Sequence, residues 1–299
     1  MDNNSKIKCS LGVFAYNEAE NIISLLEALI NQKLEKVEIS EIIVVSSGST
    51  DGTDELVSNF AETHPQVHLI RQAKREGKAS AINLFINEAK SDILVVISGD
   101  VIPAPTTIEK LVSAFEDPTI GATGGRPIPV NDDRTFMGYA VHLLWRLHHR
   151  MALISPKLGE MIAFRKVMDS IPSDSAVDEA SIEAIVQSQG YKLKYIPEAI
   201  IKNKGPLNLK DFIKQRRRIQ NGHLWLKKNQ NYEVSSQDMG TLFKVIAQEI
   251  RDYPSTTPKV LAVMALEAFC RLLGSFDFYV KKKNPFAWDI ARSTKNLRH

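Results

Sequence analysis

The chain is short of the features that usually place a protein quickly. Only two cysteines, Cys9 and Cys270, occur in 299 residues. They build no disulfide framework, so a reducing compartment, the cytoplasm, is expected. Long uncharged apolar runs are missing as well. The nearest, Val260 to Val280, carries Glu267, Arg271 and Asp277. Each charge at a helix centre costs about 2.5–3.5 kcal/mol on insertion, which argues against a span but not against a helix lying on a membrane. The polar start, Met1 to Lys6, leads straight into a strand, and no signal peptide is expected. Neither GxGxxG nor a P-loop occurs, which disfavours dinucleotide enzymes and P-loop NTPases. The formal charge of +3 is too small to argue for nucleic acid. The basic stretch Lys202 to Lys228 lacks the interleaved aromatics of a stacking platform. No low-complexity segment or internal repeat is present.

What is present fits a folded globular chain, with 43% hydrophobic and 24% charged residues. The first half alternates short apolar runs with helical spacing. Leu11–Ala15, Glu41–Val45, Val67–Ile70 and Ile93–Ile97 read as strands. Between them, Ile22, Leu25, Leu26 and Leu29 recur at helical spacing; Leu56, Val57 and Phe60 follow the second strand, and Ala79–Ala89 the third. This βα alternation predicts a mainly parallel α/β sheet, with polar turns collected at one edge.

The fourth strand ends in Ser98-Gly99-Asp100. In open α/β sheets, ligands bind outside the carboxyl ends of the strands. Asp100 is therefore either a strand-terminating cap or a ligand-facing carboxylate, and Gly99 beside it would let a ligand approach. Further on, Thr106–Phe115 and Thr135–Met151 read as helices, and Ile120–Pro127 as a strand with a glycine bend. The histidines 142, 148 and 149 allow a metal site by spacing, but no cysteine or carboxylate cluster supports one, and a packed helix is expected. Glu160–Arg165 reads as a strand. Val177–Gln189 reads as a helix closed by Gly190, and Tyr191–Ile196 as a last strand. Asp211–Lys228 and two helices within 239–280 complete the chain. On the Asp211–Lys228 helix, Gln215 and Arg218 share a face, while Arg216 and Arg217 point elsewhere.

Five segments together resemble family 2 glycosyltransferases, the nucleotide-sugar enzymes of the glycosyltransferase A fold. They are Ala15-Tyr16-Asn17-Glu18, Ser47 to Thr53, Gly77 to Asn83, Ser98-Gly99-Asp100 and Gln215 to Ile219, the last similar to a QxxRW motif. The resemblance covers roughly residues 11–228. It implies a catalytic domain over 1–205 and a helical extension over 206–299. It further implies transfer of a sugar from a nucleotide diphosphate sugar to an acceptor hydroxyl with inversion, on a glycan or lipid-linked acceptor. A UDP-sugar is the favoured donor and a GDP-sugar the alternative.

The chemistry accounts for the residue types. A diphosphate leaving group needs its charge neutralised, and Mg²⁺ or Mn²⁺ suits hard oxygen ligands. By resemblance Asp100 is the metal ligand. Ala15, Tyr16, Asn17, Glu18, Ser47, Arg75, Gly77, Lys78, Ser98 and Gly99 line the donor site. Arg218 reaches the diphosphate and Gln215 the acceptor side. An acceptor hydroxyl needs a base. The acidic pair before Gly190-Tyr191 supplies it, with Glu179 as base and Asp178 as partner, although either acid also serves as a helix N-terminal cap.

Three positions depart from the family pattern: Ser46-Ser47 for an Asp pair, Ser98 for the first Asp of DxD, and Ile219 for the motif's Trp. They weaken uridine recognition, metal binding and processive synthesis respectively. They also motivate a competing reading, a catalytically silent nucleotide-sugar binding module. A nucleotidyltransferase is disfavoured because no Gly-rich, Lys-containing loop follows the first strand. At the C-terminus, the apolar residues of 260–273 with Lys281-Lys282-Lys283, Phe286 and Trp288 suit either a helix packed on the domain or an interfacial helix on the cytoplasmic face of an anionic membrane.

Overall fold

The computed structural model describes residues 5–282, apart from 174, 176, 236 and 237. Parallel strands β1 (Ile7–Ala15), β2 (Val37–Ser47), β3 (Val67–Gln72) and β4 (Ile93–Ser98) alternate with helices α1 (Ile22–Ile30), α2 (Thr53–Thr63) and α3 (Lys78–Glu88). The second half supplies β5 (Val101–Pro103), α4 (Thr107–Ser113), β6 (Ile120–Pro129), α5 (Phe136–Ile154), β7 (Met161–Arg165), α6 (Asp178–Ser188) and β8 (Lys192–Asn203). Helices α7 (Leu209–Gln230), α8 (Met239–Asp252) and α9 (Thr257–Tyr279) follow. One eight-stranded sheet runs in the order β3-β2-β1-β4-β7-β6-β8-β5.

The expected parallel α/β unit is the β3-β2-β1-β4 half. Beyond it, β7 pairs antiparallel with β4 and β6, β8 runs parallel to β6, and β5 pairs antiparallel with β8. Strand β4 shows why its sequence is a continuous apolar run. Ile93, Val95 and Ile97 enter the core beneath α1, α2 and α4, while Leu94 and Val96 enter the core beneath α3 and α6. Helix α3 packs so closely that a Cβ on Gly12 of β1 would meet the Phe85 ring at 2.6 Å.

One local reading is corrected, and two strands gain detail. Val101–Pro103 is a separate edge strand, where proline is tolerated because no ladder donor is needed on the outer side. The glycine bend expected in 120–127 takes the form of two irregularities in one continuous β6, register shifts at Gly121 and Gly125. Glu160 is not in a strand. It sits just before β7 with φ 60°, an uncommon conformation for a residue with a side chain.

A third core joins α5 to the C-terminal helices through Leu143, Leu147, Phe212, Val245, Val260 and Val263. The joints are electrostatic too. Glu249 of α8, fully buried, pairs with Arg146 and Arg150 of α5. Arg216 of α7 holds Glu267 of α9 through two bonds of 2.7 and 2.6 Å, and Arg217 holds Asp277 at 2.6 Å. Thus the charges that argued against a membrane span face inward. Among the described residues, no helix is long and apolar enough to cross a membrane. Lys283, Phe286 and Trp288 lie outside the described residues.

Candidate functional site

A cleft of about 760 Å³ opens at the carboxyl ends of β1, β2 and β4 and continues between α5, α7, α8 and α9. Of the residues the sequence nominated, Ala15, Tyr16, Glu18, Ser47, Arg75, Gly77, Lys78, Ser98, Gly99, Asp100, Asp178, Glu179, Gln215 and Arg218 all line it. Asn17 is the exception. It has φ 54°, and its side chain accepts from Thr50 N–H at 2.8 Å, outside the cleft.

The turn after β1 and the turn after β2 are latched to each other. Asn17 N–H donates to Ser49 Oγ (3.1 Å), Glu18 N–H to Thr53 Oγ1 (2.9 Å) and Ala19 N–H to Asp51 Oδ2 (3.0 Å). Asp51 also accepts from the Thr53 hydroxyl at 2.5 Å. Most polar side chains of Ser47–Thr53 are thereby used to build the rim. Gly48, at φ 68°, lets the Lys74–Arg75 backbone approach a point where a Cβ would sit 2.8 Å away. Gly99 leaves room for protein rather than ligand, because a Cβ there would meet Glu18 Cγ at 2.8 Å. Across the mouth, the Arg75 guanidinium lies 4.7 Å from the Tyr16 ring centre.

Helix α3 begins at the cleft wall. Its first residue follows Gly77, whose φ of 92° suits glycine and which offers no side-chain cap. The first turn holds no acid, so unpaired backbone N–H groups and the Lys78 charge converge there, an arrangement suited to an anion.

Lys78 is the hub. Its Nζ donates to Ser98 Oγ at 2.9 Å and to Glu179 Oε1 at 2.5 Å. Burial pulls the Lys78 pKa down, but Glu179 and Asp178 outweigh it and hold it at about 12. Burial would push Glu179 up; the Lys78 charge and hydrogen bond reverse this and leave it below the usual carboxylate range. Asp178 is different. Burial pushes it to about 7 against the pull of Lys78, and its Oδ1 has no hydrogen-bond partner among the described residues. Arg218, on α7, acts electrostatically on both acids. Gln215 and Arg218 do share the cleft face, while Arg217 is turned to Asp277 and Arg216 is held by Glu267 at the cleft wall.

Sequence reasoning missed Glu160. It accepts from Asn203 Nδ2 at 3.1 Å, and burial, followed by the charges of Asp100 and Glu179, raises it to about 7. Its only signal was Gly159 beside it at a strand start. Also missed was the cleft's arm into the helices, lined by Trp145, Ile246 and Met264. Its residues read as ordinary amphipathic-helix positions. The histidines form no metal site: His142 Nε2 is 2.9 Å from Asn131 O, and His149 Nδ1 is 2.9 Å from Tyr195 Oη. The buried ring of His148 is pushed down to about 3 by desolvation.

Among the described residues, no three His, Cys, Asp or Glu side chains form a closed metal site. Asp100 on the cleft wall, with Glu160 close enough to feel its charge, instead fits a divalent cation that shares its coordination with phosphate oxygens and water.

The fold and cleft define an α/β protein with a helical appendage and a polar cleft at its strand ends. The profile of "Glycosyl transferase family 2" matches residues 10–185, and the chain belongs to that family. A poly-beta-1,6-N-acetyl-D-glucosamine synthase of Staphylococcus aureus is 28% identical over 222 residues, covering 70% of this chain and 53% of that protein. The chain thus spans about half the length of that relative. Glycosyltransferase AglE of Haloferax volcanii is 32% identical over 110 residues, 37% of this chain and 36% of that one. Among solved structures, the mannosyltransferase PcManGT of Pyrobaculum calidifontis, in complex with GDP-Man and Mn²⁺, aligns with TM-score 0.65 at 22% identity, over 93% of this chain and 88% of that one. Glucosyl-3-phosphoglycerate synthase of Mycobacterium tuberculosis, with Mn²⁺ and UDP, aligns with TM-score 0.52 at 19% identity, over 73% and 79%. These likenesses support the glycosyltransferase A fold.

Proposed function

We propose that the protein transfers a sugar from a nucleotide diphosphate sugar to an acceptor hydroxyl, with inversion at the anomeric carbon. The observation that carries this reading is Lys78 joined to both Ser98 and Glu179 in the cleft beside Asp100. The donor diphosphate lies at the start of α3, against Lys78, Arg75 and Arg218. Asp100 holds Mg²⁺ or Mn²⁺, which, when bound, neutralises charge on the leaving diphosphate. As Lys78 turns to the phosphates, Glu179 loses its counter-ion and its proton affinity rises. It then takes the acceptor proton as the hydroxyl attacks the anomeric carbon and the nucleotide diphosphate departs. A base in this role is typically worth ~10²–10⁴-fold in rate. Asp178 serves as its buried partner.

Residues 1–205 act as the catalytic domain and 206–299 as the extension that brings Gln215 and Arg218 to it. A UDP- or GDP-sugar is the donor. The acceptor is a glycan or a lipid-linked sugar, met at a membrane surface that the protein touches peripherally.

One observation favours a second base assignment: Asp178 has an unpartnered Oδ1 and titrates at about 7, near the working range of a general base. Retained transfer in Glu179→Gln with loss in Asp178→Asn would exchange their roles. The donor site is tested by thermal shift with nucleotide diphosphates, with and without Mn²⁺. Ligand at ~100 times Kd adds about 2.7 kcal/mol, and Asp100→Ala is expected to remove the Mn²⁺-dependent part. No stabilisation by UDP or GDP would falsify the donor reading. Stabilisation without sugar transfer in any acceptor pool would favour the silent module.

A further inference from the structure

Helix α9 is reversed relative to an ordinary surface helix. Its charged residues Glu267, Arg271 and Asp277 are turned towards α7 or tied to one another. Its outer face carries Leu261, Ala265, Phe269, Leu272, Phe276 and Tyr279, three or four residues apart, all exposed. Leu272 is 71% exposed and Tyr279 66%. None of the exposed residues of α9 is acidic. Lys259 stands at its start, and Lys281 and Lys282 just after its end, all exposed. Beside it α8 exposes Met239 and Phe243 together with Lys244 and Arg251. An apolar stripe with a basic margin matches an anionic bilayer surface in both hydrophobicity and charge.

The cleft reaches this face. From the carboxylates around Lys78 it runs into the arm lined by Trp145, Leu242, Ile246 and Met264, and its far wall includes Phe243 and Ala268, both exposed. The cavity is therefore polar at the sheet end, mainly apolar between α5 and α8, and bordered by exposed residues at Ala268 and Phe243, next to the apolar stripe. Ile219, where the family resemblance leads one to expect a tryptophan, presents a branched aliphatic side chain to the same cavity. Arg216 and Arg271, which could have met sugar hydroxyls there, are bonded to Glu267.

We propose that the acceptor is lipid-linked. Its hydroxyl-bearing head meets Glu179, its hydrocarbon chain lies in the arm between α5, α8 and α9, and an anionic bilayer under the α9 stripe presents it. This rests on the donor reading above and narrows its acceptor. Each methylene taken into the arm should tighten binding about fourfold.

Two measurements on the full chain test it, and neither needs turnover, so failure of the donor site leaves them readable. The first is flotation with vesicles of phosphatidylcholine containing one-quarter phosphatidylglycerol. The protein should float, and Leu272→Glu with Phe276→Glu should abolish flotation. Wild-type protein that stays at the bottom, as it would if residues 283–299 or a second copy cover the stripe, overturns the bilayer contact. So does flotation unchanged in the double variant. The second is crosslinking with farnesyl phosphate bearing a diazirine at the chain end. Label should appear on Leu242, Ile246 or Met264 and fall at least about tenfold in Ala268→Trp, which fills the exposed mouth of the arm. Label confined to the outer stripe, or undiminished in Ala268→Trp, overturns the assignment of the arm.

Discussion

The cleft and the α7–α9 joint use the same chemistry to opposite ends. In the joint, each carboxylate is held by two cations: Glu267 by Arg216 and Arg271, and the fully buried Asp277 by Arg217 and Lys281. Around Lys78 the ratio is reversed. Glu160, Asp178 and Glu179 all act on the Lys78 ammonium, and Glu160 and Asp178 are pushed to about 7, first by burial and then by other carboxylates of the cleft. Carboxylates saturated by cations hold helices together; a local surplus of acid leaves room for a cationic partner and a movable proton.

That contrast can be broken in several ways. The largest effect should be kinetic. Glu179→Gln is expected to lower transfer ~10²–10⁴-fold, measured by nucleotide release, and, because it takes the carboxylate from Lys78, to lower the thermal midpoint as well, read by calorimetry. Next is the joint. Glu267→Ala strands Arg216 against α9 and should cost about 3–5 kcal/mol of unfolding free energy, read by urea denaturation. Replacing Arg216, Glu267 and Arg271 together by methionine, leucine and methionine should recover most of that loss, which separates unpaired charge from lost contact.

A smaller effect is in pH. Asp178 and Glu160 have folded pKa values raised above their unfolded ones, so the native state holds more protons between about pH 4 and 7. Their contribution to stability is therefore present at low pH and lost as pH rises towards 7. Asp178→Asn should flatten this fall in a series of melts, and stabilisation by Mn²⁺ with a nucleotide diphosphate should grow between pH 6 and 8 in the wild type. The smallest change should come from Asp51→Ala, which removes one latch between the rim turns and should cost about 1 kcal/mol, with nucleotide affinity falling only slightly.

Much of this was legible in the sequence because short-range patterns carry it. The run Ile93–Ser98 announced a strand buried on both faces, and the spacing of Gln215 and Arg218 announced a shared helix face. The roles of Ser49, Asp51 and Thr53 were harder to read. A Ser-Asp-Thr turn that latches two loops has the same composition as one that binds a ligand, and only the bonds to Asn17, Glu18 and Ala19 separate the two. Glu160, marked only by the glycine before it, and the apolar arm were the least legible. Both arise where segments distant in sequence meet, β7 beside β4 and α5 beside α8 and α9, and no local period encodes such encounters.

The Lys78 bridge has a consequence for how the chain must be assembled. It ties α3 to β4 and, across 101 residues, to the start of α6. A nascent chain that has completed only the β3-β2-β1-β4 half holds the ammonium without its carboxylate. The charge of Lys78 is therefore balanced only once α6 has reached the cleft, and its bond to Glu179 reports that arrival.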